Sequence, residues 1–410
     1  NEAYNFYLNG GYNFTPDTRG NFKLSYTLMN QTDTFYTSTR AGVNRSDLGG
    51  EVHNYLGMGS INSRVTDDLS LRAKVRYEGR HDSTPVLEYN SPAADRTGKN
   101  NHMNRDTVVA EGEANYRLPK DYRLIGGIKY EYWDREYLPL RQASWRERTE
   151  DYSGRVQLNK QLTETLGGSL AYIYSERDGS AFLISHDNNP GDIDPIHWGD
   201  RERHQWRLSM DWAATDKLSF HALVDGSLDT YHSEERWLGP EEGGTHNASI
   251  DASYQLNPDW SLTGFVSLNE ITREQITVDK RTPTANGVWT ADLRNIGYAG
   301  GVGIQGMPKT GFKLGADLQY TYDKQEYELS GPTHPTLTDL PDIDYHQFDL
   351  KLSADYSVSK NGSVKLGYNL TYLKNNDWIY DLDVSSEGSL YELPDNGFSH
   401  FIGASYRYQW

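Results

Sequence analysis

Alternation of apolar and polar residues recurs from one end of this chain to the other. In the segment FKLGADLQYTYD (residues 312–323), every second residue is apolar or aromatic. Successive side chains of a β-strand point to opposite faces, so such a segment predicts a strand with one apolar and one polar face. No segment shows a helical period. The same alternation occurs in residues 69–78, 123–132, 218–225, 348–356, 364–372 and 401–410.

The connections between these predicted strands alternate in length. Short segments with turn residues lie at 15–20, 65–68, 119–121, 162–165, 215–217, 257–259, 308–311 and 360–361. Longer polar segments lie at 31–49, 81–104, 179–200, 232–244, 275–287, 330–341 and 376–394. Counting the strands between them gives about seventeen. Short periplasmic turns alternating with long extracellular loops are typical of a large antiparallel outer-membrane β-barrel, so we predict this all-β fold.

The composition looks too polar for a membrane protein but is compatible with a barrel. Hydrophobic residues make up 36% of the chain, and the mean hydropathy is -0.78. No apolar run approaches the roughly 20 residues that a membrane-spanning helix needs. A barrel strand needs apolar residues only at alternate positions, where they face lipid. The 30 tyrosines and 10 tryptophans suit the aromatic girdles of such a barrel.

Charge and cysteine content exclude several classes of protein. The net charge of -18 disfavours a nucleic-acid partner, because binding to phosphates requires a basic surface. The chain has no cysteine, which excludes disulfides, thiolate metal sites and covalent attachment of c-type haem. A soluble propeller or sandwich would also have many short strands. Propeller blades recur at a fixed period, however, and this sequence shows no repeat of fixed period.

The order of the predicted strands indicates a barrel that begins before residue 1. The opening segment NEAYNFYLNG has the pattern of a strand and lacks the features of a signal peptide. The first and the last predicted strands both run toward the periplasm, whereas a barrel with both ends in the periplasm needs an even number of strands. We therefore expect residues 1–410 to form a single barrel domain whose N-terminal part, with further strands, is missing.

The polar faces of the predicted strands carry charges of both signs in mid-strand positions. In a barrel wide enough for an aqueous channel these side chains would line the lumen. The lumen-facing candidates are Arg72, Lys74, Arg76, Lys129, Glu131, Asp317, Gln319, Asp349, Lys351, Asp355 and Lys365.

Other candidate sites are weaker. The loop HDNNPGDIDP contains Asp187, Asn189, Asp192 and Asp194, whose oxygens could hold Ca²⁺, although the EF-hand spacing and its final glutamate are absent. The 12 histidines form no regular ladder, which disfavours haem ligation. No Ser/His or Asp/His set can be located, so we predict no enzymatic activity.

Four segments share a style of charged, aromatic-rich strands: LSLRAKVRYEGRHDSTPV (69–86), YEYWDREY (130–137), WRERTEDYSGRVQLNKQLTETLGGSLAYIYSERD (145–178) and the closing YRYQW. They resemble the MtrB/PioB family of outer-membrane proteins that associate with decahaem cytochromes. The resemblance extends over nearly all 410 residues as a style repeated in each hairpin, without one invariant motif.

The resemblance implies a wide barrel in the outer membrane of a Gram-negative bacterium. In that family the barrel insulates a periplasmic decahaem c-type cytochrome that threads its lumen, and an extracellular multihaem cytochrome often docks on the outer loops. Haem would then be carried by the partners and not by this chain. Some members have a C-x-x-C pair near the mature N-terminus, which this sequence lacks. The alternative, from the polar faces alone, is a stand-alone porin for small solutes.

Overall fold

The structure, a computed structural model, describes residues 1–34, 46–91, 96–136, 145–183, 195–232, 239–278, 288–331, 339–377 and 396–409. It has seventeen long antiparallel strands and a separate two-stranded ribbon. The long strands are β1 (Glu2–Thr15), β2 (Thr18–Gln31), β3 (Gly50–Arg64), β4 (Leu69–Asp82), β7 (Arg105–Arg117), β8 (Tyr122–Arg135), β9 (Arg148–Gln161), β10 (Leu166–Gly179), β11 (Asp200–Thr215), β12 (Leu218–His232), β13 (Gly239–Asn257), β14 (Trp260–Val278), β15 (Val288–Lys309), β16 (Phe312–Ser330), β17 (Leu340–Ser357), β18 (Gly362–Asn376) and β19 (Asn396–Tyr408). The ribbon is β5 (Glu88–Ser91) with β6 (Arg96–Lys99).

The predicted alternation of short and long connections is confirmed. Eight connections between long strands, beginning with residues 16–17 between β1 and β2, are two to four residues long. Threonine side chains form several of these turns. Thr66, Thr163 and Thr215 each accept hydrogen bonds from the backbone N–H groups two and three residues later, at 3.0–3.3 Å. Such a hydroxyl replaces a backbone partner and stabilises a tight turn without glycine.

The strands bury very few apolar side chains. Among the described residues, the buried apolar ones are Trp145, Ala171, Ala291 and Ile343. Large apolar side chains at alternate strand positions are instead exposed, for example Ile128 at 73% and Ile402 at 80%. Exposed apolar surface of this extent requires another covering, and lipid provides it for an outer-membrane strand. No helix in the described part of the chain is long and apolar enough to cross a membrane.

The chain divides into two compact units. The first comprises Asn1–Gln157, Ile173–Arg203 and Tyr231–Gly239, and the second comprises Leu158–Tyr172, His204–Thr230 and Pro240–Trp410. In the first unit, β1 to β4 and then β7 and β8 pair consecutively. In the second unit, β14 to β19 pair consecutively and antiparallel.

The structure extends several strands into segments that the sequence pattern assigned to loops. β13 begins at Gly239 and β17 at Leu340, although residues 232–244 and 330–341 were predicted as connections. The ribbon of β5 and β6 lies within the predicted loop 81–104. Backbone pairing continues past the apolar positions there, so alternation of side chains underestimates strand length. The glycine-rich segment GGVGIQG lies within β15, and Trp410 lies outside the described residues.

Gly226 in β12 is a position where the packing of the strands requires glycine. A Cβ atom there would lie 2.7 Å from the Trp206 ring and 2.8 Å from the backbone oxygen of Thr245. We predict that Gly226→Ala destabilises the protein by about 2 kcal/mol, because the backbone cannot give way. The urea midpoint of the mobility shift between boiled and unboiled samples measures this. Gly59→Ala, which meets nothing within 4 Å, is the control and should leave the midpoint unchanged.

Candidate functional site

The predicted polar face exists in the first unit as a set of charged side chains from β4, β7, β8 and β9. Arg72 lies opposite Glu113, and Lys74 lies opposite Glu111, in the register of β4 and β7. Lys74 Nζ is 3.4 Å from Glu111 Oε2, and Arg155 on β9 donates to Glu113 Oε2 at 2.6 Å. The cations predicted for this face therefore meet carboxylates on the neighbouring strands.

Three more predicted residues in the first unit form pairs along their own strands. Arg76 on β4 donates to Glu78. On β8, Lys129 Nζ lies 2.5 Å from Glu131 Oε2, and the indole N–H of Trp133 donates to Glu131 Oε1 at 2.7 Å. Residues i and i+2 of a strand lie on the same face, so these contacts join side chains of one face.

In the second unit, the register brings the other predicted residues together across β16, β17 and β18. Asp317 lies opposite Lys351, and Gln319 lies opposite Asp349. Asp349 Oδ1 also accepts a hydrogen bond from Thr371 Oγ1 at 2.6 Å. Asp355 is the direct register partner of two lysines, Lys313 on β16 and Lys365 on β18. Opposite charges at directly opposed positions stabilise a sheet.

This polar face contains a depression of about 560 Å³ in the second unit. Its floor includes Gly301 and Gly303 of β15. The ring of Phe265 lies across Gly301, where an added Cβ would be 2.6 Å from the ring. Its polar lining includes Ser219, His221, Asp251, Thr263, Asp317, Gln319, Asp349 and Lys351.

Sequence reasoning missed several residues that complete this face. Glu111, Glu113 and Arg155 pair with or lie beside the predicted cations, and Asp251 lies opposite His221. The glutamates occupy the polar parity of the segment AEGEA, so the alternation rule could have identified them. The candidate calcium ligands Asp187, Asn189, Asp192 and Asp194 lie outside the described residues. Within the described ranges, no group of three or more acidic, histidine or cysteine side chains could hold a metal ion.

A second group of functional interest, which we call the Trp–Arg cluster, lies at the ends of β8 to β11 opposite the short turns. It comprises Arg135, Trp145, Arg146, Trp198 and Asp200. The Arg146 side chain is only 3% exposed and donates to Asp200 Oδ1 at 2.5 Å and to the backbone oxygen of Trp198 at 2.9 Å. The Trp145 and Trp198 rings meet edge to face at 4.5 Å.

Cation–π contacts extend the Trp–Arg cluster. The guanidinium of Arg135 lies 5.2 Å from the Trp133 ring and 5.7 Å from the Trp198 ring. His197 is next to Trp198, and its backbone oxygen accepts a hydrogen bond from Arg177 at 2.8 Å. Burial and the charges of Arg135 and Arg177 hold the pKa of His197 below its ordinary value of 6.5. Nothing in the sequence pattern indicated this cluster.

A family model matches the whole chain. The model described as "outer membrane beta-barrel porin, MtrB/PioB" covers residues 1–410. No curated protein matches the chain.

Solved outer-membrane receptors share the fold at low sequence identity. The siderophore receptor PirA from Acinetobacter baumannii matches with a TM-score of 0.53 and 10% identity, over 98% of this chain and 71% of the receptor. The ferripyoverdine receptor of Pseudomonas aeruginosa matches with a TM-score of 0.51 and 15% identity, over 98% of this chain and 57% of the receptor. FpvAI, in its complex with pyocin S2, matches with a TM-score of 0.52 and 14% identity, over 98% of this chain and 56% of FpvAI. The chain thus spans less than two thirds of the length of the ferripyoverdine receptor and of FpvAI.

Arg146 holds the Trp–Arg cluster together, because it joins segments that are 54 residues apart. We predict that Arg146→Met destabilises this region by about 3 kcal/mol, since Asp200 and the backbone oxygens of Ser180 and Trp198 lose their donor. Hydrogen exchange of peptides covering residues 145–149 and 195–201 should become about a hundredfold faster. The exposed Arg148 offers the control variant Arg148→Met, for which unchanged exchange is expected. Equal exchange in both variants would contradict the role of Arg146.

The lowered pKa of His197 predicts a pH dependence of the Trp–Arg cluster. In the unfolded segment His197 takes up a proton as the pH falls below about 6.5, whereas in the folded cluster it resists protonation. The folded cluster is therefore fully favoured above pH 6.5 and loses stability as the pH falls through the lower folded pKa. Hydrogen exchange of residues 195–201 between pH 7.5 and 5 measures this. His197→Gln should flatten the dependence after correction for intrinsic exchange rates, and an unchanged slope would refute the assignment.

Proposed function

The chain belongs to the MtrB/PioB family of outer-membrane β-barrel porins, and on that basis we propose that it encloses a periplasmic multihaem c-type cytochrome. It is a multi-pass β-barrel of the bacterial outer membrane. The proposed barrel insulates the haems from lipid while electrons cross the membrane along them. A second multihaem cytochrome on the outer side would complete the conduit. The porin-like fold favours a role without catalysis.

The observation that carries the proposal is the pairing of charges on the polar face. Lys74 with Glu111, Arg155 with Glu113, and Lys129 with Glu131 are pairs within the wall itself. A wall whose charges compensate one another can still bind water and form hydrogen bonds. It does not create a strong electrostatic potential of a single sign at the molecule that it encloses. Such a surface suits a protein guest more than a solute that must be selected by charge.

The middle of the second unit supports close approach by a guest. Ala299 on β15 lies between Ser267 on β14 and Thr321 on β16 in the sheet register, so three adjacent strands present small side chains on the polar face. A neighbouring protein could reach this surface without displacing large side chains. The absence of cysteine means that covalently attached haem must be on the guest.

The test is a visible absorption spectrum of the complex purified gently in detergent, with a haem-stained gel beside it. A strong Soret band, with haem on a separate co-purifying chain, is the expected result. We predict that Ala299→Trp, which projects a large ring from the polar face, lowers the haem content several-fold while the barrel still assembles. Val302→Trp is the matched control, because Val302 is 58% exposed on the apolar face of the same strand.

A stand-alone porin is the second candidate. The depression of about 560 Å³ lined by Asp251, Asp317 and Asp349 offers a wetted surface to solutes. A full-length barrel that purifies without haem and conducts ions in a planar bilayer would favour this function and overturn the cytochrome proposal. Equal haem content in the Ala299→Trp and Val302→Trp variants would instead show that the guest does not approach β15.

A further inference from the structure

A hydrogen-bonded pair of tyrosine and histidine recurs on the apolar face. In each pair the tyrosine hydroxyl lies 2.6–2.9 Å from Nδ1 of a histidine on the next strand. Both units contain such pairs. Those in the described part of the chain are Tyr26 with His53, Tyr172 with His204, Tyr320 with His346, and Tyr368 with His400.

These pairs mark the upper limit of the apolar band in β16 to β19. From the short turns up to Tyr320, His346, Tyr368 and His400, the apolar-face positions of these four strands carry no charged residue. On the same face, Lys324 and Asp344 lie above the Tyr320–His346 pair, whereas Lys374 lies beside His346 and above the Tyr368–His400 pair. Eight residues separate Phe312 from Tyr320, about 26 Å of strand, which at a tilt of about 40° covers roughly 20 Å of the apolar band of about 25 Å in such barrels. The pairs therefore lie where hydrocarbon gives way to headgroups.

The pair Tyr26–His53, on β2 and β3, shows what the Nε2 atom of such a histidine binds. His53 Nε2 lies 3.0 Å from the carboxylate of Glu51, which can only accept a hydrogen bond. Nε2 therefore donates to Glu51, while Nδ1 is bonded to the hydroxyl of Tyr26. The arrangement Tyr–His–anion is thus complete within the chain at this position.

His346 and His400 each have a tyrosine hydroxyl at Nδ1, as His53 does, but within the described ranges neither Nε2 atom meets a carboxylate. Lys374 lies directly opposite His346 in the sheet register, is exposed, and forms no ion pair with the described residues. The other charges nearby have partners, because Asp344 accepts from Tyr322 and Lys324 contacts Glu326 and Asp342.

Aromatic rings surround these donors on the same face. The Tyr372 and Phe398 ring centroids are 4.7 Å apart, and Phe398 stacks on His400 at 6.4 Å. Immediately below, Leu366 and Ile402 are exposed. One cation and two imidazole N–H groups above a bare hydrocarbon surface complement a ligand that has an anionic head and an apolar tail. A soluble anion would leave that apolar surface uncovered.

We propose that His346, Lys374 and His400 bind the phosphorylated headgroup of one membrane lipid, in the leaflet opposite the short turns. Lys374 and His346, directly opposite each other in the sheet, hold one phosphate, with His346 donating from Nε2 as His53 donates to Glu51. His400, level with Leu370 four residues along β18 from Lys374, donates to the same headgroup lower on this face. Tyr372 and Phe398 lie at the boundary between headgroup and acyl chains. The site is independent of whatever occupies the lumen.

The test is native mass spectrometry of the purified complex in detergent, titrated with diphosphoryl lipid A as the probe. Lys374→Gln should weaken binding about fivefold, the effect of one cation near an anionic headgroup. Lys360→Gln, which removes the same charge at a short turn, is the matched control and should bind as the wild type does. His346→Phe/His400→Phe should also weaken binding, whereas His53→Phe should not, because Glu51 already occupied that imidazole. Unboiled gel mobility checks that each variant is folded.

Equal lipid binding by Lys374→Gln and Lys360→Gln would overturn the proposal. Displacement of the lipid by millimolar inorganic phosphate would also overturn it, because it would indicate a soluble anion as the ligand. Retention of the lipid in inorganic phosphate, together with the loss in Lys374→Gln, would support it.

Discussion

Every backbone N–H and C=O group of a chain in lipid must find a partner within the protein, because hydrocarbon offers none. In this protein the antiparallel ladders supply those partners wherever strands pair, and the rest of the structure depends on them. They keep successive side chains on opposite faces, so a chain with mean hydropathy of -0.78 can still present a continuous apolar surface to lipid. The near absence of buried apolar side chains among the described residues follows from the same arrangement.

The polar face derives its character from register. Arg155 and Glu113 are 42 residues apart in sequence, yet their side chains meet at 2.6 Å because β7, β8 and β9 are neighbours. The same ladders place Asp355 between Lys313 and Lys365. Charge compensation within the wall makes a polar interior compatible with a protein guest, which is the basis of the proposed role. On the other face, the same register brings tyrosine and histidine side chains of neighbouring strands together. These Tyr–His pairs lie where apolar side chains give way to charged ones.

Much of this fold could be predicted from the sequence. The parity of apolar residues identified the strands, and turn residues located all eight short connections. The parity of residues such as Asp317 and Lys351 placed them on one face, and the register sets these two directly opposite each other. That this face lines the lumen stays a prediction. Strand ends were less accurate, since β13 and β17 extend into segments predicted as loops. Above the membrane both faces of a strand meet water, so alternation fades while backbone pairing continues.

The sequence by itself determined the class of fold, the two faces of each strand and the chemical type of the polar face. Those properties depend only on the period-two geometry of an extended chain, which acts between neighbours in sequence. Only the tertiary structure decided which charges meet and that Arg146 is buried between Asp200 and Trp198. It also decided that Glu51 meets His53, whereas no described carboxylate meets His346 or His400. These facts depend on contacts between distant segments, and alternation carries no information about which strand positions lie opposite one another.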